Sequence, residues 1–297
     1  MDNIFTQLRH FLDYSRTVRR NTSKTVHDME VSFQSFSEFS QVSCFSDFDA
    51  EAIENWIAHQ VTTREWKAKT VRTRLGHLSL FADFLVRRGY LKKNPVKAVP
   101  RPKLPKSLPR ALTGEQCDRV MEWVRSFPFK FKFERMRAVA IIAMFMATGM
   151  RHSELRNLKM CDIDLNRMEL FVRSGKGEKD RRIPFRPSLA VVLERYLQER
   201  TRLKKSCPEF FTAMRQNSKM GPKVIYRLSH RLRKSSGIEF TPHVFRHSYA
   251  TRMLESGLSI REVQELLGHS HISTTAIYLA VTGERLTEQV RSKGFDV

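Results

Sequence analysis

The side chains in this sequence best suited to chemistry are Arg151, Lys176, His243, Arg246, His269 and Tyr278. Arg151 stands in "ATGMRHSELRNL", Ala147 to Leu158, and Lys176 in the turn Gly175-Lys-Gly177. His243 and Arg246 lie three apart in "TPHVFRHSYATRM", a spacing that puts both on one helical face. His269 and Tyr278 are nine residues apart in "GHSHISTTAIYLA". Singly, each has a plain alternative: an arginine paired with Glu154, a solvated loop lysine, a packed phenol. Together they suit transfer of a phosphoryl group. Two guanidinium forks can clamp the nonbridging oxygens of a phosphate. A lysine can protonate a departing alkoxide, and histidines can bind phosphoryl oxygens or take the nucleophile's proton. A tyrosine can be that nucleophile, keeping the bond as a phosphoester. Tyr249 competes for this part, but three positions on from Arg246 it falls on a packing face and reads as structural. No carboxylate cluster suggests Mg²⁺. The glycine turn is no P-loop, since no glycine lies five residues before Gly175 and no Ser or Thr follows the lysine. Neither a metal nor another cofactor is expected.

Charge points to the substrate. The 297 residues carry 53 Lys and Arg against 31 Asp and Glu, a net +22 with a sequence pI near 10.3. A balance this basic favours a polyanionic partner, nucleic acid first, over a chain charged only for solubility. Residues 1–100 hold 15 basic and 11 acidic side chains, which leaves 38 and 20 for residues 101–297. Acids are plentiful throughout, so basic faces on folded surfaces are expected, with no solvated polybasic tail. Cys44, Cys117, Cys161 and Cys207 stand far apart without a CxxC pair, which argues against disulfides or a zinc cluster and for a reducing compartment. The start, MDNIFTQLRH, lacks a signal-peptide pattern. The longest apolar run, Ala138 to Met150, falls short of the ~18 residues of a membrane span. A cytoplasmic protein without a membrane partner is expected.

The elements that must position these residues read as mainly α. Residues 1–98 form a helical domain. Phe5, Leu8, Phe11 and Leu12 follow helical spacing, as do Val26, Met29, Phe33, Phe36 and Phe39. Ile53, Trp56 and Ile57 mark a third helix, and Val71, Leu75, Leu78, Phe81 and Leu85 a fourth over about 70–88. Lys67, Lys69, Arg72 and Arg74 crowd its start, where they oppose the helix dipole unless an anion compensates. Residues 99–111 read as a basic linker within "NPVKAVPRPKLPKSLPRAL", whose five prolines prevent regular structure. Residues 112–297 form a second, mostly α domain with a small β-sheet or hairpin (α+β). Thr113 to Gln116 and Ser259 to Glu262 resemble capping boxes, Met136 to Ala147 a central apolar helix, and Gly268 a helix stop. Met168 to Phe185 reads as two strands about the Gly-Lys-Gly turn, with helix again beyond it and an irregular stretch over 201–222.

In this order, the "ATGMR..EL" box, the "GKG" turn, HxxR, "LGH" and a tyrosine nine residues on resemble the tyrosine recombinases, or phage-integrase family, over nearly the whole chain. The resemblance implies a SAM-like core-binding domain over 1–98 and a catalytic domain over 112–297, together clamping duplex DNA. It implies that Tyr278 attacks the scissile phosphate to leave a 3′-phosphotyrosyl bond, while Arg151 and Arg246 stabilise the transition state. Lys176 would act as general acid, and His243 and His269 would bind phosphate oxygens, with Glu154 orienting Arg151. Further implications are a homo-tetramer, or a hetero-tetramer with a related recombinase, on paired half-sites and a Holliday junction intermediate. With no arm-binding domain ahead of it, the chain is most similar to simple Xer-type enzymes. Leu279-Ala280 stand where many relatives have Thr-His. A type IB topoisomerase, or a DNA-binding regulator without catalysis, are the alternatives.

Overall fold

The computed structural model describes residues 3–104, 110–173, 180–269 and 275. The chain divides into two compact units, Met1–Lys106 and Ser107–Val297. The first contains helices α1 (Ile4–Thr17), α2 (Ser23–Ser40), α3 (Ala50–Arg64) and α4 (Ala68–Arg87). Asn3, Thr22 and Asp49 start the first three, each accepting a backbone N–H three residues on and so satisfying a donor the helix end leaves unpaired. Phe11, Phe33, Phe36, Phe48, Trp56 and Phe81 fill the core with edge-on and tilted rings. Phe5 and Phe39 match the helical spacing but lie at the rim, 41% and 38% exposed, against Phe33 and His59.

The basic start of α4 divides into two roles. Arg74 donates to Ser32 Oγ and the Asp28 carbonyl and lies over the Trp66 ring. Arg72 donates to the Pro102 carbonyl. These two serve the fold, whereas Lys67 and Lys69 stay exposed. Val96 and Val99 also belong to this unit's core, so ordered packing reaches past residue 98 into the proline-rich stretch.

The second unit contains α5 (Gly114–Ser126), α6 (Lys132–Thr148), α7 (His152–Asn157), β1 (Ile163–Asp164), β2 (Glu169–Val172), β3 (Arg181–Pro184), α8 (Pro187–Arg202), α9 (Val224–Ser236), α10 (Pro242–Glu255) and α11 (Ile260–Leu267). Helix α6 is apolar on all sides because α5, α8 and α10 surround it; every residue from Ala138 to Phe145 is buried. The strands form an antiparallel sheet in the order β1-β2-β3, with Leu170 opposite Ile183 and Val172 opposite Arg181. The two strands read from sequence are therefore present, and a third joins them; β1, at two residues, is too short to leave a periodic signal. Residues 203–223 interrupt the helical run. They are held by buried cations: Arg137 donates to the Thr212 carbonyl at 2.6 Å, and Lys205 to those of Met214 and Gln216. Among the described residues no helix is long and apolar enough to cross a membrane.

Candidate active site

Gly149 begins the site by ending α6. Its φ of +58° is a conformation glycine adopts without steric cost, and it turns the chain so that Met150 is buried and Arg151 starts the next helix. Arg151 is the N-cap of α7, and Glu154 at the third helical position accepts its backbone N–H at 2.7 Å. The same carboxylate accepts from Arg151 Nη1 at 2.9 Å, which is the orienting contact expected from sequence. Arg151 Nη2 reaches the Gly268 carbonyl at 3.3 Å.

Helix α10 supplies the next pair. Thr241 caps it, accepting from Val244 N–H, and Pro242 sits at the first helical position, where its fixed φ suits the helix and its missing N–H costs nothing. His243 is exposed in the first turn, while Arg246 is buried one turn on. Arg246 donates from Nη1 to the Gly149 carbonyl at 2.9 Å and from Nη2 to the Leu267 carbonyl at 2.7 Å. Its guanidinium thus holds the ends of α6 and α11 together.

Helix α11 carries the third group. The Ser259–Glu262 capping box starts it, and Gly268, at φ +65°, closes it. His269 follows, its N–H donating to the Gln264 carbonyl while Gln264 Nε2 donates to the His269 carbonyl. Its Nδ1 lies 2.9 Å from the hydroxyl of the fully buried Thr275, a contact that fixes the ring and engages one of its two nitrogens. Burial first, then the charges of Arg246, Arg151 and Arg181, push the His269 pKa down to about 4. The ring is neutral at pH 7. His247 and His152 are lowered in the same way, by burial and by neighbouring arginines and His243.

The structure therefore brings Arg151, Arg246 and His269 together, with His243 close enough to act electrostatically on His247 and His152. Lys176 and Tyr278 lie outside the described residues. Tyr249 is 6% exposed, and a Cβ built on Gly149 would stand 2.5 Å from its ring. Burial raises its phenol pKa, the opposite of what a nucleophile requires. One further site residue was not anticipated. Arg181, buried at 8%, donates from Nη1 and Nη2 to Glu154 at 3.0 and 2.8 Å and from Nε to the Leu266 carbonyl at 2.7 Å. Burial works to raise the Glu154 pKa, but the hydrogen bonds from Arg181 and Arg151 outweigh it and hold the carboxyl below its ordinary range.

Residues 110–285 match the Phage integrase family, to which the chain belongs. It is 34% identical to the tyrosine recombinase XerD of Lacticaseibacillus casei over 290 residues, 96% of either chain. It is 41% identical to the tyrosine recombinase XerA of Pyrococcus furiosus over 191 residues, 64% of this chain and 63% of the relative. The crystal structure of the XerH site-specific recombinase in a post-cleavage complex with palindromic difH shares the fold, with a TM-score of 0.73 at 20% identity, covering 96% of this chain and 83% of that one.

Proposed function

We propose that this chain is a site-specific recombinase that cuts and rejoins duplex DNA through a covalent tyrosine intermediate. The observation that carries the reading is the convergence of Arg151, Arg246 and His269 on the ends of α6 and α11, where burial and then three arginine charges keep the imidazole neutral down to about pH 4. Such a pocket is preorganised for a phosphate diester, whose charge grows toward the transition state. Arg151 and Arg246 take the nonbridging oxygens. His269, held through Nδ1, presents Nε2 to one of them, with the tautomer set by which way the Thr275 hydroxyl points. Tyr278 Oη attacks phosphorus as its proton passes to His243, the bond to the 5′ oxygen breaks, and Lys176 gives that oxygen its proton. His243 binds phosphate from the rim of α10. The phosphotyrosyl bond keeps the energy of the cleaved diester, so religation needs no high-energy cofactor.

On this reading the first unit is the core-binding domain and the second the catalytic domain. The chain works in the cytoplasm as a tetramer on paired half-sites, exchanging strands through a Holliday junction. A relative bearing the tyrosine recombinase name over 96% of this chain supports site-specific recombination over simple relaxation of DNA. The test is to incubate the protein with fragmented genomic DNA and map protease-trimmed adducts to a base and a residue. Adducts on Tyr278 that vanish in Tyr278→Phe, with DNA binding retained, are the expected result. Adducts on Tyr249, or adducts surviving in the variant, would refute the assignment.

A further inference from the structure

Arg181 is a charged residue on the core-facing side of a strand, sharing that face with the fully buried Ile183. A guanidinium is expensive to bury and persists where geometry and charge repay it. Here its hydrogen bonds lead into the site. Two go to the carboxylate that orients Arg151, and the third goes to the last turn of α11. The side chain also lies against Gly268: a Cβ there would come within 2.9 Å of Arg181 Nη1 and 3.1 Å of its Cδ. The turn that delivers His269 therefore rests on the stem of this arginine.

We propose that Arg181 is a positioning residue for the phosphoryl-transfer reaction, locking the Arg151 box and the His269 turn to the same strand. The inference rests on the reading of Arg151 as a phosphate clamp. Without Arg181, Glu154 keeps Arg151 as its one charged partner among the described residues and can follow it, so the guanidinium loses its fixed bearing. Leu266 and Gly268 lose the surface that sets the height of His269. Lysine keeps the charge but cannot make the parallel pair of bonds or the third bond from Nε. Strand β3 also begins at this residue, so the same anchor fixes the start of that strand.

The test uses the full chain and a nicked duplex bearing the mapped cleavage site, once with a phosphate and once with a methylphosphonate at the scissile position. A neutral phosphonate needs no guanidinium to balance its charge. Arg151→Ala should lose far more on phosphate than on methylphosphonate, and Arg181→Lys should repeat that pattern with a loss of about 100-fold on phosphate, as a misplacement near 1 Å would give. A variant that is merely less folded loses the same factor on both substrates, and that result overturns the proposal. If Arg151→Ala itself falls equally on both, the clamp reading fails, and Arg181 is then judged without DNA. By NMR, Arg181→Gln should move the His269 titration upward from about 4 toward the ordinary 6.5, since a depressing charge and the packing of the turn are both lost. An unmoved His269 in a folded variant overturns the proposal as well.

Discussion

Alanine at Gly149 should cost both stability and cleavage, for separable reasons. The residue sits at φ +58°, where an L side chain is strained by roughly 1–2 kcal/mol. Its new Cβ would also stand 2.5 and 2.9 Å from two ring carbons of Tyr249 and 3.1 Å from a methyl of Leu267. Both neighbours are buried, so relief requires movement in a packed interior, at about 1–3 kcal/mol. A total near 3 kcal/mol lowers the melting temperature of the unit by about 6–12 °C. Gly149 also supplies the carbonyl that receives Arg246 Nη1, so the shift displaces a reacting group, and strand cleavage should slow by at least about 10-fold at temperatures where the variant is fully folded. Thermal melts and single-turnover cleavage measure the two effects. In a Tyr249→Ala background the ring clash disappears and Gly149→Ala should cost its backbone strain of roughly 1–2 kcal/mol, with the 3.1 Å approach to Leu267 left beside it. Equal costs in both backgrounds would refute the steric account. An unchanged cleavage rate in the single variant would refute the link to Arg246.

Two further outcomes follow from the charges. His269 has a pKa near 4 in the folded protein against an ordinary 6.5, so on acidification the unfolded chain takes the proton first and stability falls between pH 6.5 and 4. Melts at pH 7.5 and pH 5 should show a smaller loss in His269→Asn than in the parent, and equal losses would contradict the depressed value. Binding to the mapped site should weaken steeply with salt, with a slope of log K against log salt of about −5 to −9, as 6–10 neutralised phosphates give. A slope near −1 would show that the net +22 is not directed at the backbone of DNA.

Much of this site could be read from the sequence because its parts sit at helix ends, where local chemistry leaves a signature. Thr113 with Gln116 and Ser259 with Glu262 close the capping boxes their spacing announces, and Gly268 ends α11 in the left-handed conformation. Glu154 could be assigned to Arg151 because the two share one turn. Arg181 could not, since its partner lies 27 residues away and only the fold closes that distance. A signal did exist: on strand β3, Arg181 alternates in step with Ile183, so the strand that buries one must bury the other. A charge at such a position requires a buried partner. Gly149 was read only as part of a motif, because the ring that forbids a side chain there comes from α10.

Arg151 and Arg246 are balanced by different kinds of negative charge. Arg151 faces a carboxylate, whereas Arg246 reaches the closing carbonyls of two helices, Gly149 at the end of α6 and Leu267 at the end of α11. Each helix presents roughly half a negative charge at that end. Its counter-charge is therefore spread over two peptide dipoles and has no proton to gain. In strong acid Glu154 is neutralised, and Arg151 loses its carboxylate while keeping the Gly268 carbonyl. The carbonyls that hold Arg246 stay as they are. Acid thus weakens the hold on Arg151 and leaves the hold on Arg246 unchanged.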